Sequence, residues 1–151
     1  MKKEFADLFV KAGMSIMEQV VGLTMDIKNN FSIGGAPMDN PKVSIYIGIT
    51  GEVEGHTMIH MEETMALKVA SNMMGGMPVS EFDEITKSAV AELGNMILGN
   101  TASLLYNQGI KIDITPPKLY IKDAITSSNK ADVTMILGND TEELALGLSL
   151  R

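Results

Sequence analysis

Ser88-Ala89-Val90-Ala91-Glu92-Leu93-Gly94-Asn95-Met96-Ile97-Leu98-Gly99-Asn100 is the most informative stretch of this chain. Its apolar spacing is helical. Ser80-Glu81-Phe82-Asp83 just before it resembles a capping box, so a long helix is predicted from there to about Tyr106. At 100° per residue from Ser88, Glu92 falls at about 40°, Asn95 at about 340° and Gly99 at about 20°, one narrow polar stripe. Ile85, Ala89, Leu93, Met96, Ile97 and Leu104 fall between about 60° and 180°, an arc wide enough to bury against a sheet. Stripe and buried arc are therefore expected side by side. Gly94 and Gly99 each cost about 1 kcal/mol relative to alanine inside a helix. Their presence predicts close approach of another backbone, either a second helix of the chain or a docked partner.

Working outward, Phe5, Leu8, Phe9, Ala12, Ile16 and Val20 predict an amphipathic helix over residues 3 to 21, ended by Gly22. Met25 to Lys28 alternates like a strand, and Ser32 to Pro41, with Gly34-Gly35 and two prolines, reads as a loop. Val43 to Thr50 and Val53 to Met61 form a hairpin around Thr50-Gly51-Glu52. Glu62 and Glu63 open a helix to about Met74, stopped by Gly75-Gly76 and Pro78. After Gly109, strands are expected at 111–114, 118–122, 132–137 and 143–150, the last two joined through Gly138-Asn139-Asp140. The order is a helix-plus-strands unit used twice, with the 62–74 helix between the copies. An α+β fold follows, in which both units share one antiparallel sheet and both long helices cover one face of it.

The 151 residues carry a formal charge of −7, no cysteine, no tryptophan and 13 methionines. With 45% apolar and 21% charged residues, the chain is globular, and its length favours one domain over residues 1–151. Absence of cysteine removes disulfides, thiolate metal sites and Cys nucleophiles. The acidic balance argues against nucleic acid and against anionic membrane surfaces as partners. Acids at Glu4 and Asp7 interrupt any signal-peptide core, and no apolar run approaches the roughly 20 residues of a spanning helix. A cytoplasmic protein is expected.

A solvated helix face carries Ser, Glu and Asn as readily as an active site does, so spacing alone does not identify the stripe. The residues themselves go further. Ser88-x-x-x-Glu92-x-x-Asn95, continued by Met96-Ile97-x-Gly99-Asn100 and preceded by Pro78-Val79-x-Glu81-Phe82-Asp83-Glu84, resembles the active-site helix of the CheC, CheX and FliY family of chemotaxis phosphatases. The family pattern is Asp or Ser, three residues, Glu, two residues, Asn. The repeated helix-and-sheet order and the helix ending Met73-Met74-Gly75 extend the likeness over nearly the whole chain. Two-site members carry the motif on both long helices. Here a rough alignment sets Leu8, Ala12 and Ser15 opposite Ser88, Glu92 and Asn95, without acid or amide, so the chain resembles the single-site CheX type. At this length, the extra domain of FliY-type proteins is not expected.

The resemblance implies a phosphatase for the aspartyl phosphate of CheY or a related response-regulator receiver domain. It also implies a homodimer. Such a helper needs no metal or cofactor of its own, since Mg2+ and a lysine are expected on the phosphorylated receiver. Asn95 is assigned to positioning the attacking water, because an amide both accepts and donates. Glu92 is assigned a salt bridge to the receiver's lysine, and Ser88 and Gly99 are expected to contact the partner. The reading from another class is a non-catalytic interaction module of the same fold. A small-ligand domain has no residue cluster to recommend it.

Other signals read as structural. His56 and His60, four apart on a strand, are separated by about 13 Å, too far to share an ion. The Gly-rich segments lack a phosphate-loop ending. The methionines at 58, 61, 65, 73, 74 and 77 fit flexible core filling better than a binding surface.

Overall fold

The computed structural model describes residues 2–33, 43–121 and 131–151. Gly34-Gly35, most of the loop expected up to Pro41, and Lys122 lie outside them. Helix α1 spans Lys2–Ile16 and runs into a π-helical turn, Met17–Val21, closed by Gly22 at φ 79°. Phe5, Phe9, Ala12 and Met17 are completely buried, so the apolar spacing of α1 is the face it presents to the core. Strands β1 (Asp26–Ile33), β2 (Val43–Gly51) and β3 (Gly55–Met61) follow, then α2 (Glu63–Met73) and α3 (Glu84–Asn107). The second half ends with β4 (Ile112–Ile114), β5 (Lys118–Ile121), β6 (Val133–Gly138) and β7 (Glu143–Leu150).

β1 is longer than the alternation suggested, because Asn29 to Ile33 pair with β6 through irregular register shifts that blur a period-2 pattern. The start of α3 also differs from expectation. Its cap is Asp83 itself, whose carboxylate accepts from the Thr86 N–H at 2.8 Å, rather than Ser80. That backbone donor holds the Asp83 carboxyl below its ordinary range.

Among the described residues, seven strands form one antiparallel sheet in the order β1-β6-β7-β3-β2-β4, with β5 also on β2. β5 pairs with the start of β2, Val43 opposite Ile121, and β4 with its end, Ile49 opposite Ile114. Pro116 and Pro117, which have no N–H to give a ladder, separate the two. The order is symmetric. β3 and β7 close their respective halves and pair at the centre, while the first strand of each half pairs with the middle strand of the other. The two helix-plus-strand units are thus interleaved, not merely adjacent.

Val43, Ile45, Ile47, Ile49, Thr57, Ile59, Met61, Leu144, Leu146 and Leu148 are buried, alternating along their strands. Both long helices pack on the face these residues form. α1 lies over β6 and β7 of the other half, and α3 over β2 of the other half and against β4 and β5 of its own. Helix α2 packs against α3 and the π-helical turn. A 2.6 Å ion pair from Lys68 to Glu142, which keeps the Glu142 carboxyl below its usual range, ties α2 to the β6–β7 turn.

The opposite face of the sheet holds the histidines. His60 is 3% exposed and its Nδ1 lies 2.8 Å from the Ser44 hydroxyl on the neighbouring strand. His56 stacks on Tyr46 with ring centroids 5.3 Å apart. Both are therefore strand-face residues. Burial lowers the His60 pKa from 6.5 to about 4, so the folded ring stays neutral while the unfolded chain takes up a proton below its ordinary value. The resulting stability is full above about pH 6.5 and falls between about 6.5 and 4, by about 3 kcal/mol in total. Urea unfolding of the wild type and of His60→Gln between pH 7.5 and 4 tests this. The acid loss is expected to be smaller in the variant, and parallel curves would show that His60 contributes nothing to it.

Candidate active site

The rotation of α3 about its own axis decides which of its side chains reach solvent. Its buried residues are Thr86, Val90, Leu93, Gly94, Ile97, Leu98, Thr101 and Leu105. Counted from Ser88, they span about 140° to 280°. The buried arc is therefore rotated from the expected one and lies opposite the polar stripe, not beside it. Leu93 and Ile97 are buried as expected, but Ala89, Met96 and Leu104 are only half-buried and Ile85 is 66% exposed. Apolar counting misplaces the arc because three of its members are Thr86, Gly94 and Thr101. The Thr101 hydroxyl is made compatible with burial by donating to the Ile97 carbonyl at 2.8 Å.

Gly94 explains the rotation. A Cβ there would lie 2.7 Å from Ile45 Cγ2 on β2, so this side of α3 comes closer to the sheet than any other residue would allow. The expected close approach thus occurs within the chain, against a side chain and not a second helix. At Gly99 nothing lies within 4 Å of the position a Cβ would take. That glycine leaves a smooth gap on the outer surface.

With Gly94 held inward, Ser88 and Glu92 are exposed, and Asn95 and Gly99 are half-buried on the same outer stripe. The structure brings these four residues together as the sequence predicts. Asn95 and Glu92 are separated by about 4.5 Å of helix rise, less than one turn. Among the described residues, no intrachain hydrogen bond or ion pair occupies the side chains of Ser88, Glu92 or Asn95. A carboxylate and an amide held side by side and turned outward can together accept from a cation or a water and donate to an anionic oxygen. Among the described residues, no three His, Asp or Glu side chains gather to hold a metal ion.

Tyr106, 66% exposed in the last turn of α3, falls at about 0° on the same stripe. It extends the stripe beyond Gly99 to the end of the helix. The same angular arithmetic finds it.

The other long helix, α1, is seated by a glycine as well. A Cβ at Gly13 would lie 3.2 Å from Leu137 and Leu146 side chains, making Gly13 the counterpart of Gly94. This register sets the buried Phe5, Phe9, Ala12 and Met17 opposite the buried Thr86, Val90, Leu93 and Leu98. It places Asp7, Lys11 and Met14 opposite Ser88, Glu92 and Asn95, one residue away from the alignment made by sequence. The glutamate and the asparagine are absent in either register; Asp7 fits the first position of the family pattern, but a lysine stands at the place of Glu92.

The family model described as chemotaxis phosphatase CheX matches residues 43–139, a span that includes the whole stripe up to Tyr106. A relative from Thermotoga maritima named CheY-P phosphatase CheX is 49% identical over 71 residues, covering 47% of this chain and 46% of the relative. The match thus spans about half the length of that relative. Among solved structures, the chemotaxis protein CheX from Vibrio vulnificus aligns over 98% of this chain and 99% of its own, at 22% identity and TM-score 0.85. CheX in a complex with CheY, BeF3 and Mg2+ from Borrelia burgdorferi aligns over 97% of each chain, at 28% identity and TM-score 0.72.

The two glycines of α3 should respond oppositely to added bulk. Gly94→Val is expected to destabilise the fold by about 2 kcal/mol through overpacking against Ile45. Gly99→Ala is expected to stabilise it by about 1 kcal/mol, since it gains helix propensity without a clash. Urea midpoints of the two variants check this, and shifts of the same sign would mean that α3 is not seated at Gly94.

Proposed function

Because the chain belongs to the family described as chemotaxis phosphatase CheX, we propose that it hydrolyses the aspartyl phosphate of CheY or a related response-regulator receiver domain. The observation that carries the proposal is the pairing of Glu92 and Asn95 on the outer stripe of α3, without partners among the described residues. The names of the Thermotoga relative and of the Borrelia complex give the substrate class.

An aspartyl phosphate on a receiver already faces a bound Mg2+ and a lysine, which neutralise its charge. What it lacks is an ordered nucleophile. In-line attack depends strongly on how the water is held, and positioning supplies much of the catalysis in phosphoryl transfer. The Asn95 side-chain oxygen accepts a hydrogen bond from that water, while its NH2 donates to a phosphoryl oxygen. Glu92 pairs with the receiver lysine, fixing the docked geometry so that Asn95 meets the phosphorus from the open side. Ser88 contacts the receiver backbone, and the gap at Gly99 lets that backbone lie close to the helix. In this reading the chain contributes an amide and a carboxylate and the receiver contributes the metal.

No helix among the described residues is long and apolar enough to cross a membrane, which fits the cytoplasmic location proposed for a protein acting on receivers. A homodimer, which the resemblance implies, is proposed with it.

Phosphate release from pre-phosphorylated CheY tests the activity. The wild type is expected to accelerate it, Asn95→Ala to reduce the catalysed rate by about 100-fold, and Glu92→Ala to act mainly by weakening docking, by about tenfold. No acceleration across several receivers would defeat the phosphatase reading in favour of a binding module. Full activity of Asn95→Ala would remove the role assigned to that amide.

A further inference from the structure

The rotated burial of α3 leaves one feature that the catalytic pair does not use. Ile85, an aliphatic side chain in the first turn of the helix, is 66% exposed. It falls at about 60° and Met96 at about 80°, so both border the side of the stripe on which Glu92 stands, at about 40°. Met96 is half-buried and Ala89, between them along the helix, is also half-buried. These are residues an apolar pattern would place in a core. The seat of Gly94 on Ile45 turns Ile85 outward instead and leaves Met96 half-buried beside it, while Ala89 still packs against the core.

We propose that Ile85, supported by Met96, is the apolar docking anchor for the phosphorylated receiver domain. The inference rests on the phosphatase reading, and geometry selects the occupant. A substrate whose phosphoryl group must reach Asn95 has to cover the surface around that residue. A standard interface removes about 800 Å2 from each partner, equivalent to a disc of about 16 Å radius. Centred between Glu92 and Asn95, the disc contains Ile85, about 13 Å away along the helix axis, while the backbone of Tyr106, about 19 Å away, lies beyond its edge. Met96 lies next to its centre. A receiver delivering its phosphoryl group to this stripe therefore covers Ile85 in the same act.

The anchor acts on binding and not on the reacting atoms, so it shows in half-saturation and not in turnover. Ile85 is exposed, and Ile85→Ser is not expected to disturb folding, which its urea midpoint checks. Titration with CheY loaded with Mg2+ and BeF3 reads docking alone, and phosphate release from phosphorylated CheY reads catalysis. Ile85→Ser is expected to weaken binding and raise KM about tenfold while leaving kcat within about twofold. Tyr106→Ser is expected to change either by less than about twofold. Unchanged binding by Ile85→Ser, or a larger loss from Tyr106→Ser, would overturn the anchor while a normally accelerating wild type leaves the phosphatase reading standing. Conversely, a wild type that binds without accelerating hydrolysis, and binds less well after Ile85→Ser, would support the anchor and defeat the phosphatase reading.

Discussion

The contact between Gly94 and Ile45 governs how this molecule presents itself. A helix 24 residues long with apolar side chains on more than one side has several plausible rotations against a sheet. Only the absence of a Cβ lets α3 settle with position 94 inward, where the Ile45 methyl group occupies the space a side chain would need. Once that point is fixed, every other residue of the helix follows at about 100° per step. Thr86 and Thr101 must go in, Ser88, Glu92 and Asn95 must face out, and Ile85 is carried out beside them. A steric contact on the buried side thereby sets the chemistry of the exposed side.

The same device recurs on α1, where Gly13 meets Leu137 and Leu146. Two helices in equivalent seats, each over strands of the other half, show that the fold supplies two equivalent outward stripes. Their residues have diverged. α3 carries Ser88, Glu92 and Asn95, while α1 carries Asp7, Lys11 and Met14. A lysine at the place of Glu92 would repel a receiver's lysine where the carboxylate attracts it, so the second stripe is unsuited to the same docking by charge as well as by the missing amide.

Much of this was legible in the residues. The doubled order of helix and strands, the hairpin around Gly51, the turn at Gly138 to Asp140 and the clustering of Ser88, Glu92 and Asn95 all follow from local pattern, because each depends on neighbours in sequence. The rotation of α3 did not follow, since it is set by Ile45, far away in the chain. The cap at Asp83 was hidden because Ser80 offers a similar local signature. The interleaving of the halves was equally invisible, because strand alternation reports which face is buried and not which strand lies next door. Tyr106 could have been found from the sequence alone, by following the stripe to the end of the helix.

The central pairing of β3 with β7 joins Gly55–Met61 to Glu143–Leu150. It links the two halves through strands about 90 residues apart, a non-local pairing that is slow to form. β2, on which α3 is seated, is held by β3, β4 and β5 and not by β7, so that seat needs only strands within residues 43–121. α1, whose Gly13 faces Leu137 on β6 and Leu146 on β7, is by contrast seated on strands at the far end of the chain, so the two helices are fixed by contacts of very different sequence separation.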